Sequence, residues 1–169
     1  MSAALKKGQL GPNDYQRMVE VTTQLNSAGP DLAALEGVHA MTDVTGFGLA
    51  GHTLEMARAA KLSAHLSWSH VPLMDGVRAW AQQGLVTGAS ARNWSAYGHE
   101  VSLAASCAVE DQALLCDPQT SGGLLVSCAP QAVGHVLDVF KRHGFAHACE
   151  IGAMHERSPS GAGAALVVD

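Results

Sequence analysis

The stretch Thr42-Asp43-Val44-Thr45-Gly46-Phe47-Gly48 places a carboxylate, two hydroxyls and two glycines close together, between an apolar run and a helical pattern. Those residue types suit phosphate chemistry. Magnesium prefers oxygen ligands and is usually held by one or two carboxylates together with waters and substrate phosphates. An aspartate at a strand end, such as Asp43, is rigid enough to serve. Gly46 and Gly48 allow unusual dihedrals and a close backbone approach. The helix start behind them offers N–H groups to an anion. The same residues also read as an ordinary helix entry, with Asp43 or Thr45 as cap. A second stretch, Asp117-Pro118-Gln119-Thr120-Ser121-Gly122-Gly123, strings an acid, an amide, two hydroxyls and a glycine pair ahead of an apolar run. It can form an anion-binding nest with Asp117 as a further oxygen donor, or an Asp-Pro turn whose hydroxyls cap the backbone. The patterns alone leave both pairs of readings open.

The elements that must position these residues alternate helix and strand with short, glycine-marked joints. Helical spacing of Tyr15, Met18, Val19, Thr22 and Leu25 predicts a helix over 14–26, entered through Pro12 and Asn13. Val38 to Val44 reads as a strand, Gly48 to Ala60 as a helix and Leu62 to Trp68 as a half-buried strand. A third helix follows Pro72, with Leu73, Val77, Trp80 and Ala81 as its stripe and Gly84 at its end. Residues 86–101 carry no clear period and predict a loop, with one helical turn at most. Gly122 to Cys128 reads as a buried strand. Pro130 to His143 is the most regular helix, with Val133, Val136, Leu137 and Phe140 on one face. Ala148 to Met154 and Ala164 to Val168 read as closing strands, separated by a loop over 157–161. The order predicts a single α+β domain spanning 1–169, with helices layered on a mixed β-sheet.

Composition narrows the function. Its 169 residues are enough for one sizeable core. Charged residues make up 15%, against roughly 25% in ordinary soluble domains, which is compatible with a surface that faces another domain. A net charge of -5 offers no basic footprint for nucleic acid. No apolar run approaches the ~18 residues of a membrane span, and the first residues do not read as a signal peptide. Cys107, Cys116, Cys128 and Cys149 form no C-x-x-C, so a reduced, cytoplasmic chain is expected.

The first stretch, extended through Leu49, Gly51 and His52, and the second, extended through Leu124, resemble the two signature segments of the C-terminal half of selenophosphate synthetase (selenide, water dikinase). The Arg92-Asn93 and Leu25-Asn26 pairs resemble smaller features of the same family. The wider superfamily includes aminoimidazole ribonucleotide synthetase, thiamine-monophosphate kinase and a hydrogenase maturation factor. The resemblance implies the C-terminal domain of an enzyme that makes selenophosphate, AMP and phosphate from ATP, selenide and water. Asp43 would hold Mg2+ against the ATP phosphates. Thr42, Thr45, Gly46, Gly48, Asp117, Gln119, Thr120 and Ser121 are the candidate phosphate or substrate contacts.

The reactive cysteine or selenocysteine, its lysine and further aspartates belong to the family's N-terminal half. The chain reads as starting well inside a full-length protein, so it is expected to carry no catalytic residue of its own and to be inactive alone. Its expected partners are that N-terminal domain and, in the full-length enzyme, ATP, selenide and a second copy in a homodimer. A different class of reading is a stand-alone binding or scaffold module that kept the fold without catalysis, or the domain of a related ATP-dependent enzyme. His143 and His147 have zinc-finger-like spacing but lack paired cysteines. His52 could pack the helix or bind a ligand. Trp80, Met56 and Phe140 read as core, and Glu100, Glu110 and Asp111 as solvated loop charges.

Overall fold

A computed structural model of the chain describes residues 1–157 and 163–169; most of the loop expected over 157–161 lies outside the described residues. The elements in order are α1 (Ser2–Lys6), α2 (Pro12–Thr23), α3 (Gly29–Ala33), β1 (Val38–Asp43), α4 (Gly48–Ala60), β2 (Leu62–Leu66) and α5 (Val77–Gln82). There follow α6 (Gly88–Tyr97), β3 (Val101–Leu103), α7 (Val109–Leu115), β4 (Leu124–Cys128), α8 (Val133–Arg142), β5 (Gly152–Glu156) and β6 (Leu166–Val168). The α+β class holds, with the strands divided between two sheets. β1 pairs antiparallel with β4. The other sheet is mixed, in the order β3-β6-β2-β5, with β6 parallel to both neighbours and β5 antiparallel to β2.

Each sheet has its own core. Helix α4 lays Ala50, Leu54 and Ala57, all fully buried, against Ala64 and Leu66 of β2 and Leu166 and Val168 of β6. Tyr97 of α6 and Leu115 of α7 close the same cluster. Helix α8 turns Val136, Val139 and Phe140 onto Ala28 and Leu32, with Met41, Leu124 and Val126 of the two-stranded sheet beneath them. The chain leaves α8 through Gly144, whose φ of +85° is left-handed, the usual way to end a helix. His143, just before it, meets Ser27 through Nδ1 at 3.1 Å and Asp31 through Nε2 at 2.9 Å.

Several elements differ from expectation. Residues 88–97 form a ten-residue helix where a loop was expected. Its inward residues are Ser90, Asn93 and Tyr97, which hydrogen-bond to neighbouring segments, so no apolar period marks it. Helix α7 and strand β3 were also not anticipated. Asp111, expected in solvent, is buried; it accepts a hydrogen bond from the Ala108 N–H at 2.9 Å, starting α7, and pairs with Arg78. Glu100 is held by Arg58, with Nε 3.2 Å from its carboxylate. Strand β2 stops at Leu66 because Trp68 turns into a single 3-10 turn. Strand β5 starts at Gly152 and helix α5 only at Val77, leaving Leu73 outside it. Helix α2 shows no buried residue.

All four cysteines are unbridged. Among the described residues no helix is long and apolar enough to cross a membrane. Because Leu54 is fully buried at the centre of the larger core, Leu54→Ala should cost about 2–5 kcal/mol in urea unfolding. A loss below about 1 kcal/mol would show that α4 is not the core's spine.

Candidate functional site

The two glycine-rich stretches meet. Strand β1 carries Thr42 and Asp43 opposite Leu125 and Leu124 of β4. Past the ladder the pairing continues through the loops: the Val44 N–H donates to the Gly123 carbonyl at 2.9 Å, and the Gln119 N–H donates to the Thr45 carbonyl at 2.9 Å. The loops run so close that two glycines are obligatory. Gly48 has a φ of +68°, and a Cβ there would lie 2.6 Å from the Cys116 carbonyl carbon. A Cβ on Gly122 would lie 1.9 Å from the Val44 oxygen, far inside contact distance. Gly46, expected to need the same freedom, does not: a Cβ there meets nothing within 4 Å.

Turns leave carbonyls without ladder partners, and buried polar groups must find some. Side chains from elsewhere supply them. Asn93 Nδ2, on α6, donates to the Gly46 carbonyl at 2.9 Å and to the Cys116 carbonyl at 3.0 Å, tying one loop to the other. Asn26 Nδ2 donates to the Gly122 carbonyl at 2.9 Å. The Tyr97 hydroxyl donates to the Phe47 carbonyl at 2.6 Å. These clamps were not foreseen as contacts. The Arg92-Asn93 and Leu25-Asn26 pairs marked two of the positions, but an asparagine's partners cannot be read from its neighbours.

Asp43 is exposed at the end of β1, and its carboxylate has no hydrogen bond or ion pair among the described residues. Neither Asp43 nor Thr45 caps α4, whose first turn receives no side-chain cap. Thr45 Oγ1 instead meets His52 Nε2 at 3.2 Å, and His52 Nδ1 meets Glu55 Oε2 at 2.8 Å. Thr42 and Glu55 line one groove of about 430 Å³ between β1 and α4.

On the second loop, Asp117 turns inward. Its Oδ1 accepts from Thr87 Oγ1 at 3.1 Å and Ser90 Oγ at 3.3 Å, which fastens the start of α6. Burial raises its carboxyl above the ordinary range, with those hydroxyls pulling against the rise. Gln119, Thr120 and Ser121 are exposed, and Ser121 has a left-handed φ of +49°. Burial pushes the neighbouring Cys116 thiol up and the Tyr97 phenol well up, so Cys116 is not an activated thiolate.

The site therefore offers an open carboxylate, an uncapped helix start and a row of exposed hydroxyl and amide groups, all on two loops braced against each other. Among the described residues no group of three or more histidine, cysteine, aspartate or glutamate side chains is placed to hold a metal ion. One carboxylate still fits magnesium, which fills its remaining positions with water and phosphate oxygens.

This arrangement on an α+β scaffold defines the class, and the chain belongs to the family described as AIR synthase related protein, C-terminal domain, matched over residues 2–162. Its curated relatives include the selenide, water dikinase of Dechloromonas aromatica (strain RCB), 55% identical over 158 residues. That match covers 94% of this chain and 45% of that protein. The selenide, water dikinase of Burkholderia ambifaria (strain MC40-6) is 57% identical over 154 residues, 91% of this chain and 44% of that protein. The chain thus spans less than half the length of these relatives. Among solved structures, a hydrogenase maturation protein, HypE, shares the fold at a TM-score of 0.56 and 20% identity, over 85% of this chain and 38% of that one.

The bracing by Asn93 is testable. Asn93→Ala strips donors from two loop carbonyls and should cost about 1–3 kcal/mol, read as a lowered urea midpoint. An unchanged midpoint would show that the loops hold each other without it.

Proposed function

We propose that this chain is the C-terminal half of a selenophosphate synthetase, acting with an N-terminal half to convert ATP, selenide and water into selenophosphate, AMP and phosphate. The observation that carries the reading is the junction of the two loops, in a chain more than half identical to selenide, water dikinases. Asp43 is the proposed magnesium ligand contributed by this half. Its position at the end of a paired strand keeps its carboxylate fixed in space, and no protein partner among the described residues competes for it. Bound there, magnesium would neutralise phosphate charge, which is most of what phosphoryl transfer requires. The uncapped first turn of α4 and the exposed backbone of Gly46 can face phosphate oxygens with N–H groups, while the Gly48 N–H closes the turn onto the Thr45 carbonyl at 3.1 Å. Thr42 and Thr45, with Gln119, Thr120 and Ser121 across the junction, supply further polar contacts. Asp117 belongs to this proposal as the anchor of its loop, since its exposed neighbours stand closer to any ligand.

The need for a second half has its own support. Along α2 and just beyond it, Tyr15, Val19 and Leu25 are 48%, 38% and 81% exposed. Single exposed apolar residues are normal, but with Val21 also exposed, four of them in and beside a helix with nothing buried support a surface that meets a partner. The four widely spaced cysteines, with no C-x-x-C among them, suit a reducing, cytoplasmic setting, and the full-length enzyme is proposed to be a homodimer.

The test joins this chain to an N-terminal half of the family. Asp43→Asn should lower magnesium-dependent ATP turnover about 10–100-fold, the scale on which metal sites respond to a lost supporting group, with the unfolding midpoint unchanged. Full turnover would remove Asp43 from the metal site. The chain by itself should form no AMP from ATP and selenide, and measurable turnover would contradict the proposal.

A further inference from the structure

Helix α4 places His52 and Glu55 one turn apart, on the same face by their i, i+3 spacing. His52 is only 7% exposed, and its ring sits 5.8 Å from that of Phe47. Both of its nitrogens are engaged, Nδ1 by the Glu55 carboxylate at 2.8 Å and Nε2 by the Thr45 hydroxyl at 3.2 Å. For a neutral imidazole these contacts allow one arrangement of the protons. A carboxylate only accepts, so Nδ1 must carry a proton to meet Glu55. In the neutral ring Nε2 is then bare and can only accept. The Thr45 hydroxyl, which has one proton to give, gives it to Nε2.

We infer that Glu55 and His52 are positioning residues that draw the Thr45 hydroxyl proton inward, so that Thr45 turns only oxygen lone pairs toward the ligand side of the loop. A hydroxyl committed in this way cannot donate to a phosphate oxygen. It can accept from a water or face a cation. Thr45 is thereby assigned to the hydrated divalent cation held near Asp43, and the phosphate-facing donors must be backbone N–H groups and the hydroxyls of the other loop. The cation side of this assignment rests on the magnesium reading given above. The proton direction does not: it follows from the Thr45, His52 and Glu55 geometry with a neutral His52 ring.

Long-range 1H–15N spectra of the 15N-labelled chain at neutral pH read the tautomer directly. The expected result is a protonated Nδ1 and a bare, pyridine-type Nε2 for His52. Thr45→Val should shift Nε2 further toward the free-imidazole position and Thr45→Ser should restore it, while Glu55→Leu should leave a mixture of tautomers. In the chain joined to an N-terminal half of the family and supplied with ATP, magnesium should move the Nε2 resonance along with the Asp43 amide, because a polarised hydroxyl binds Nε2 more tightly; a group that merely packs the loop would not respond. A protonated Nε2 in the parent chain overturns the inference. So does an Nε2 resonance that stays fixed while the Asp43 amide responds to magnesium. If neither resonance moves, the magnesium reading itself has failed and the assignment of Thr45 to the cation falls with it, even where the tautomer is as expected.

Discussion

The structure depends on one crossing. Two cores, one under the four-stranded sheet and one under the β1–β4 pair, are linked where the chain passes from β1 into α4, from α7 into β4 and from α8 into β5. The first two passages happen side by side, joined by the Val44 to Gly123 and Thr45 to Gln119 backbone hydrogen bonds. Close backbone approach demands glycine at 48 and 122, and carbonyls left over by the turns demand the amides of Asn26 and Asn93. The residues that look like a binding motif in sequence are thus also the residues that join the halves of the fold. This explains why the loops can stay open to a ligand without losing their shape.

That double duty also decides what the sequence could reveal. Strand β1 and helix α4 were legible to within a residue because an apolar run and a helical stripe bracket the loop, and α8 was legible through Val136 and Phe140. Helix α6 was not, because its partner is loop backbone and not another apolar surface. Its inner face is accordingly made of Ser90, Asn93 and Tyr97, residues that suggest a loop when no partner is known. Asp111 misled for the same reason: an acid reads as solvated until the Ala108 N–H and Arg78 are seen beside it. Asp43, Gln119, Thr120 and Ser121, expected as metal or phosphate contacts, lie exposed, whereas the inward turn of Asp117 depends on α6 and could not be seen without it.

The loops carry few groups that could do chemistry. Among the described residues their open groups are the Asp43 carboxylate, a helix start and neutral polar groups, with no activated nucleophile beside them. Cys116 lies next to the site, yet burial keeps its thiol protonated. The proposal of a second part rests on this sparse set of groups, on the chain's covering under half of its curated relatives and on the exposed apolar residues in and beside α2.

If the crossing is the central constraint, its hydrogen bonds should open together. Native-state hydrogen exchange on the chain can follow the amides of Val44 and Gln119, which lie on different loops but in one junction. The account predicts that both exchange with the same opening free energy and the same dependence on low denaturant, as one cooperative unit. Separate openings, with one loop exchanging freely while the other stays protected, would contradict it.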